Sequence, residues 1–198
     1  MGEIETVQQK YPDIHIFKGI EADILPDGSM DSPDPLLAEF DFVIASVHSR
    51  FNLSKADQTR RMCRALANPY VTMLGHPTGR LLLSRPGYRV DLAQVIDAAV
   101  THHKLLEING SRYRLDLDWR WVRIAKAQGV KFCVNPDAHA VDEPRNISYG
   151  VNVARIGPPR NIRYRLQHLL LASSTSMAKP WSLCSWEDPT LFDGRPLR

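Results

Sequence analysis

The stretch DFVIASVHSRFNLSKADQTRRMCRALANPYVTMLGH, residues 41–76, decides the fold class. Two short apolar runs, 41–48 and 71–76, end in His48 and His76 and enclose a segment of helical character at 54–69. Ser54 offers an N-cap and Pro69 a stop. A strand, a helix and a second strand on short connections make a parallel βαβ unit.

The alternation continues on both sides. Upstream, IHIFKGIEADIL (14–25) reads as a strand that runs into the loop PDGSMDSPD. Downstream, VDLAQVIDAAVTHH (90–103) has helical spacing, KLLEING (104–110) reads as a strand, LDLDWRWVRIAKAQG (115–129) as a helix closed by Gly129, and VKFCVNPDAH (130–139) as a fifth strand. The strand runs read as apolar on both faces, the pattern of a sheet buried on both sides. An α/β layered or barrel-like fold is expected.

Composition excludes several classes. With 198 residues, 43% of them hydrophobic and 24% charged, the chain can bury a sizeable core. The net charge of +3 permits nucleic acid as a partner without requiring it. No apolar run approaches the ~20 residues of a membrane span, and the N-terminal segment lacks the apolar core of a signal peptide. Cys63, Cys133 and Cys184 are widely spaced and odd in number, as in a cytoplasmic protein with reduced thiols. The rhythm stops near residue 160. A domain over 1–160 and an irregular tail over 161–198, rich in Ser and Pro and holding Trp181 and Trp186, are expected.

The chemistry-bearing residues fall at the strand ends: Glu21, His48, His76, Glu107 with Asn109, and Asp137 with His139. In parallel α/β folds all strand C-termini open on one rim, where binding and catalytic groups sit. A lone histidine at a strand end is ordinarily structural, and Asp137 alone reads equally as a helix cap. Neutral causes, however, would scatter such residues over both ends. Imidazole with carboxylate suits Zn²⁺, Mn²⁺ or Fe²⁺. In GHPTGR (75–80), Arg80 adds a planar donor fork suited to phosphate. His15, His102, His103 and His168 lie outside this pattern.

The blocks GIEADILPDGSMD, FDFVIASVHS, NPYVTMLGHPTGRLLLSRPGY, LLEINGSRYRLDLDW, GVKFCVNPDAH and YGVNVAR resemble the PHP (polymerase and histidinol phosphatase) domain, in the form found at the C-terminus of bacterial family X DNA polymerases. The resemblance covers roughly residues 10–157 and implies a distorted (β/α)7 barrel with a centre of up to three Mn²⁺ or Zn²⁺ ions. It implies a phosphoesterase, in polymerases a 3′→5′ exonuclease acting on a DNA 3′ end. The family's bridging glutamate falls on Glu21 and its metal-binding histidines on His48 and His76. Its terminal aspartate and histidine fall on Asp137 and His139, with Arg80 and Asn109 near the substrate.

The sequence departs from the family in its first part. The HxH strand, the following Asp-Gly turn and a further histidine do not appear, and NPDAH has a proline where Ser or Thr is usual. The expectation is an incomplete barrel lacking its first strands, of weak activity or none. Open sheet edges would then pair with a complementary polymerase or PHP fragment, or with a second copy. A non-catalytic polymerase- or DNA-binding module and a small-molecule phosphatase of the histidinol-phosphate type are the competing readings.

Overall fold

The computed structural model describes residues 2–156, so the expected tail at 161–198 lies outside the described residues. Helix α1 (Gly2–Lys10) precedes strand β1 (Gly19–Asp23), and a short α2 (Asp34–Leu37) leads to β2 (Phe42–Ser46). Next come α3 (Lys55–Leu66), β3 (Met73–Leu74), α4 (Leu92–Thr101), β4 (Leu105–Asn109), α5 (Trp119–Ala127) and β5 (Phe132–Asn135). A 3₁₀ turn at Glu143–Asn146 opens into α6 (Ile147–Ile156).

The five strands are parallel and ordered β1-β2-β3-β4-β5. Each helical crossover therefore steps to the adjacent strand, as a singly wound sheet requires. Among the described residues no helix is long and apolar enough to cross a membrane.

Capping explains where the helices begin. The Ser54 hydroxyl accepts the N–H of Asp57 at 3.1 Å and opens α3. Asp91 caps α4 in the same way. The expected helix over 115–129 starts only at Trp119, because Asp118 is its N-cap and accepts the N–H of Arg120 at 3.0 Å. The two residues before it are buried. Gly129, at φ +89°, follows the end of that helix in the left-handed conformation that glycine tolerates.

The register sorts the sheet into two unlike faces. Ala22, Val43, Ala45, Leu74, Leu106, Ile108 and Val134 belong to one apolar core with Met62, Leu66, Val95 and Ile96 of α3 and α4. Strand side chains alternate, so the pairings Glu21↔Ile44, Asp23↔Ser46, Ile44↔Met73, Glu107↔Cys133 and Asn109↔Asn135 put all these residues on the other face. The expectation of strands apolar on both faces is thus corrected. Towards the strand C-termini the second face is polar, and Glu107 and Asn109 are buried there. Cys63 and Cys133 are in no disulfide.

Candidate metal centre

Glu21 lies on β1, His48 two residues past the end of β2, and His76 two residues past the end of β3. Because the strands are parallel and adjacent, the three side chains meet at one rim. Nε2 of His76 is 3.2 Å from Oε1 of Glu21, and Nε2 of His48 is 3.4 Å from the same oxygen. The two imidazole rings lie edge to face with centroids 5.1 Å apart. One ligand atom from each residue falls within 4.8 Å of the others, and this is the sole such group among the described residues.

The donor set fits a divalent ion of the Zn²⁺ or Mn²⁺ kind. Two imidazole nitrogens and a carboxylate oxygen are the ligands such ions take, with room left for solvent or substrate. Nδ1 of His48 donates to the Asp23 carboxylate. That bond fixes the tautomer and leaves Nε2 to face Glu21, the outer support that ligating histidines ordinarily have. His76 is nearly inaccessible at 3%, whereas His48 and Glu21 remain open to solvent at 41% and 38%.

Without an ion the cluster is an acid–base pair. The hydrogen bonds from His48 and then His76 hold the Glu21 carboxyl far below the usual carboxylate range, against the opposing effect of burial. Glu21, and after it Asp23, raises His48 to about 9.

His76 sits at φ +24°, in the left-handed region, and needs a firm hold. Its backbone N–H donates to Oε2 of Glu107 at 2.6 Å. Oε1 of Glu107 accepts from Asn135 Nδ2 at 2.8 Å, and Oε2 also accepts from Asn109 Nδ2 at 3.2 Å. Burial raises the Glu107 carboxyl above its ordinary value. The loop after His76 is held by a second buried carboxylate: Oδ2 of Asp116 accepts the N–H groups of Thr78 at 2.9 Å and Gly79 at 3.0 Å. The role of Asp116 was not legible in sequence, where it sits inside an apparently helical run. The one available signal was a pair of aspartates alternating with leucines just before the helix.

The remaining predicted residues are placed differently. Asp137, at φ +52°, accepts from Asn109 Nδ2 at 3.0 Å and from Arg114 Nε at 3.2 Å. His139 has its side chain 81% exposed, and its Nδ1 lies 3.0 Å from the carbonyl of Asp137. Neither belongs to the three-residue group; Asp137 connects to it through Asn109, Glu107 and the His76 backbone. Arg80, expected to face a phosphate, donates through Nε to the carbonyl of Arg114 at 2.8 Å and through a terminal nitrogen to that of Leu115, with Asp118 at 3.3 Å.

Comparison with known proteins bears on this rim. The chain is 41% identical over 155 residues to the DNA polymerase/3′-5′ exonuclease PolX of Bacillus subtilis, an alignment covering 78% of this chain and 27% of that protein. It resembles probable phosphatases as well. It is 33% identical over 148 residues to a probable phosphatase of Caldanaerobacter subterraneus subsp. tengcongensis, covering 70% of this chain and 56% of that protein. To a probable phosphatase of Clostridium acetobutylicum it is 33% identical over 147 residues, 70% of this chain and 58% of that one. The chain thus spans about a quarter of the polymerase and just over half of the phosphatases. No family model matches it.

Proposed function

We propose that this chain is a divalent-metal-dependent phosphoester hydrolase of the PHP type, with a fold related to the distorted (β/α)7 barrel. The observation that carries the reading is the convergence of His48 and His76, which follow two successive parallel strands, on one carboxylate oxygen of Glu21 on the strand beside them. The likeness to an exonuclease and to probable phosphatases supports the same chemistry.

A bound divalent ion supplies Lewis acidity toward a phosphoryl oxygen and a nucleophile competent near neutral pH. Glu21, His48 and His76 would hold it. Asp23 keeps the His48 proton on Nδ1. Glu107 and Asp116 keep His76 and its loop in place. Asp137 and His139 remain candidates for a second ion, for which Asp137 has to part from Arg114 and Asn109. Because a single three-ligand group is assembled among the described residues, weak turnover is the expectation. The substrate read first is a DNA 3′ end. A small phosphomonoester is the second reading, favoured by the similarity to probable phosphatases.

The test is Mn²⁺-dependent release of nucleotide from a 3′-recessed primer, beside phosphate release from a panel of small phosphomonoesters. Turnover that vanishes in EDTA and in Glu21→Gln supports the proposal. A chain that binds Mn²⁺ and hydrolyses none of these esters overturns it.

A further inference from the structure

The loops after β2, β3 and β4, residues 47–54, 75–91 and 110–118, contain Arg50, Arg80, Arg85, Arg89, Arg112 and Arg114 and no lysine; their carboxylates are engaged, Asp91 with Lys55, Asp116 with the N–H groups of Thr78 and Gly79, and Asp118 with Arg80 and Arg120. The loops after β1 and β5, residues 24–33 and 136–142, differ in holding no arginine or lysine: Asp27 and Asp31 lie in the first, and Asp137 and Asp142 in the second. A whole-chain net charge of +3 conceals this concentration at one part of the rim, beside His48 and His76.

Three of the arginines brace the surface. Arg80 is tied to the carbonyls of Arg114 and Leu115, and Arg114 to Asp137. Arg85 donates to the Gly79 carbonyl at 2.8 Å and lies 4.1 Å from the Phe51 ring centroid. The other three face outward. Arg50 and Arg89 are exposed, and their side chains make no hydrogen bond or ion pair among the described residues. Arg112 is exposed and lies 4.9 Å from the Tyr113 ring centroid, donating to the phenol oxygen at 2.9 Å.

The exposed apolar groups cluster with them. Tyr113 is 55% exposed and Leu83 fully so. Leu83, at φ +62°, tips a tight turn closed by reciprocal backbone bonds between Leu81 and Arg85. Leu82 donates its N–H to the carbonyl of Tyr113 at 2.6 Å, locking the two loops into one surface. Packing gives no reason for a strained leucine and a tyrosine to stand in solvent here.

We propose that these three loops form a docking surface for single-stranded nucleic acid, with Arg50, Arg89 and Arg112 facing phosphates and Tyr113 presenting a stacking face to a base. Charge complementarity favours this occupant. Outward arginines on successive loops match a chain of phosphates rather than one phosphate, and an arginine beside an exposed ring is the pairing that holds stacked bases. The inference rests on the phosphoester reading above and names the kind of substrate that would approach that centre.

The test is fluorescence anisotropy of the full chain in EDTA with a fluorescein-labelled oligothymidylate of about 12 nucleotides, within the site sizes usual for such grooves. Tyr113→Ala is expected to weaken binding about tenfold, the scale of one lost stacking contact, while Tyr113→Phe retains it. Arg112→Ala is expected to lower the slope of log K against log salt by about 0.7, one phosphate contact on a single strand. Arg123→Ala on α5 serves as the control and binds as the parent does. Equal affinity in Tyr113→Ala and the parent, equal affinity for a duplex of the same length, or binding to phosphatidylserine vesicles in place of the oligonucleotide would each overturn the proposal. The assay contains no metal. Failure of metal-dependent hydrolysis would therefore sink the enzymatic reading while this result stood, and the reverse holds equally.

Discussion

The backbone N–H of His76, on the loop after β3, is held by the side chain of Glu107, on the neighbouring strand β4, at 2.6 Å. A candidate metal ligand is thus positioned by a carboxylate that touches no ligand side chain. Glu107 is 4% exposed and accepts from three donors: the His76 N–H and the amides of Asn109 and Asn135. Glu107→Ala leaves those donors without an acceptor. Each such loss costs about 1–3 kcal/mol, partly offset here by removal of a buried carboxyl, so a net loss of about 3 kcal/mol is expected. Glu107→Gln falls between, because its amide turns a donor toward a donor in either orientation. Urea unfolding in EDTA measures the stability, and calorimetric Mn²⁺ titration is expected to show weaker binding in both variants.

His48 sets a pH dependence in the metal-free protein. Its pKa is raised from 6.5 to about 9, first by Glu21 and then by Asp23. A raised pKa in the folded state adds stability that is full below 6.5 and is lost as pH climbs through about 9. His48 is 41% exposed, so solvent screening keeps the gain to no more than about 1 kcal/mol. Urea midpoints in EDTA should fall between pH 6.5 and 9 in the parent chain and stay flatter in His48→Asn. A metal must displace the same proton. Mn²⁺ affinity should therefore rise by up to about tenfold per pH unit below that pKa, with proton release visible as a buffer-dependent binding enthalpy.

Asp116 gives a cleaner structural variant. Its Oδ2 serves the N–H groups of Thr78 and Gly79, and the group is fully buried. Asp116→Asn keeps an oxygen for both donors and removes a carboxyl whose ionisation burial disfavours. It should lie within about 1 kcal/mol of the parent, whereas Asp116→Ala should lose about 2–4 kcal/mol. Thermal unfolding followed by circular dichroism separates the two. Equal loss in both would mean that the carboxylate charge, rather than its acceptor oxygen, holds the loop.

Much of the β2–α3–β3 unit was legible because its signals are local. Ser54 caps, Pro69 stops, and His48 and His76 end the apolar runs. That Glu21, His48 and His76 share one rim followed from the parallel pattern; their meeting depends on the strand order β1-β2-β3, which that pattern leaves open. Glu107 was legible as a strand-end residue, but its role as a support for His76, like that of Asp116 for the next loop, was hidden for a physical reason. Glu107 lies on the sheet face opposite the helices, and which face a strand residue occupies depends on register, a long-range property. Asp116 and Asp118 sit in LDLDW, whose spacing mimics a helix, yet one is buried under the preceding loop and the other caps α5. Helix α6 went unread because Gly150 interrupts its pattern; a Cβ there would come within 2.6 Å of Val134.

Arg80 separates two roles that the sequence could not distinguish. A phosphate-facing arginine and a bracing arginine read alike in HPTGR. In the structure the fork spans two consecutive carbonyls, of Arg114 and Leu115, and reaches Asp118. Lysine keeps the charge but lacks the planar fork, so it can satisfy only part of this set. Arg80→Lys is therefore expected to lose about 1–2 kcal/mol, or about 2–4 °C in melting temperature per kcal/mol for a chain of this size. If bracing is its work, the substrate KM stays near that of the parent and only the melting temperature moves. A KM raised tenfold at unchanged melting temperature would return Arg80 to the phosphate, and the carbonyl contacts would then have to open when substrate binds.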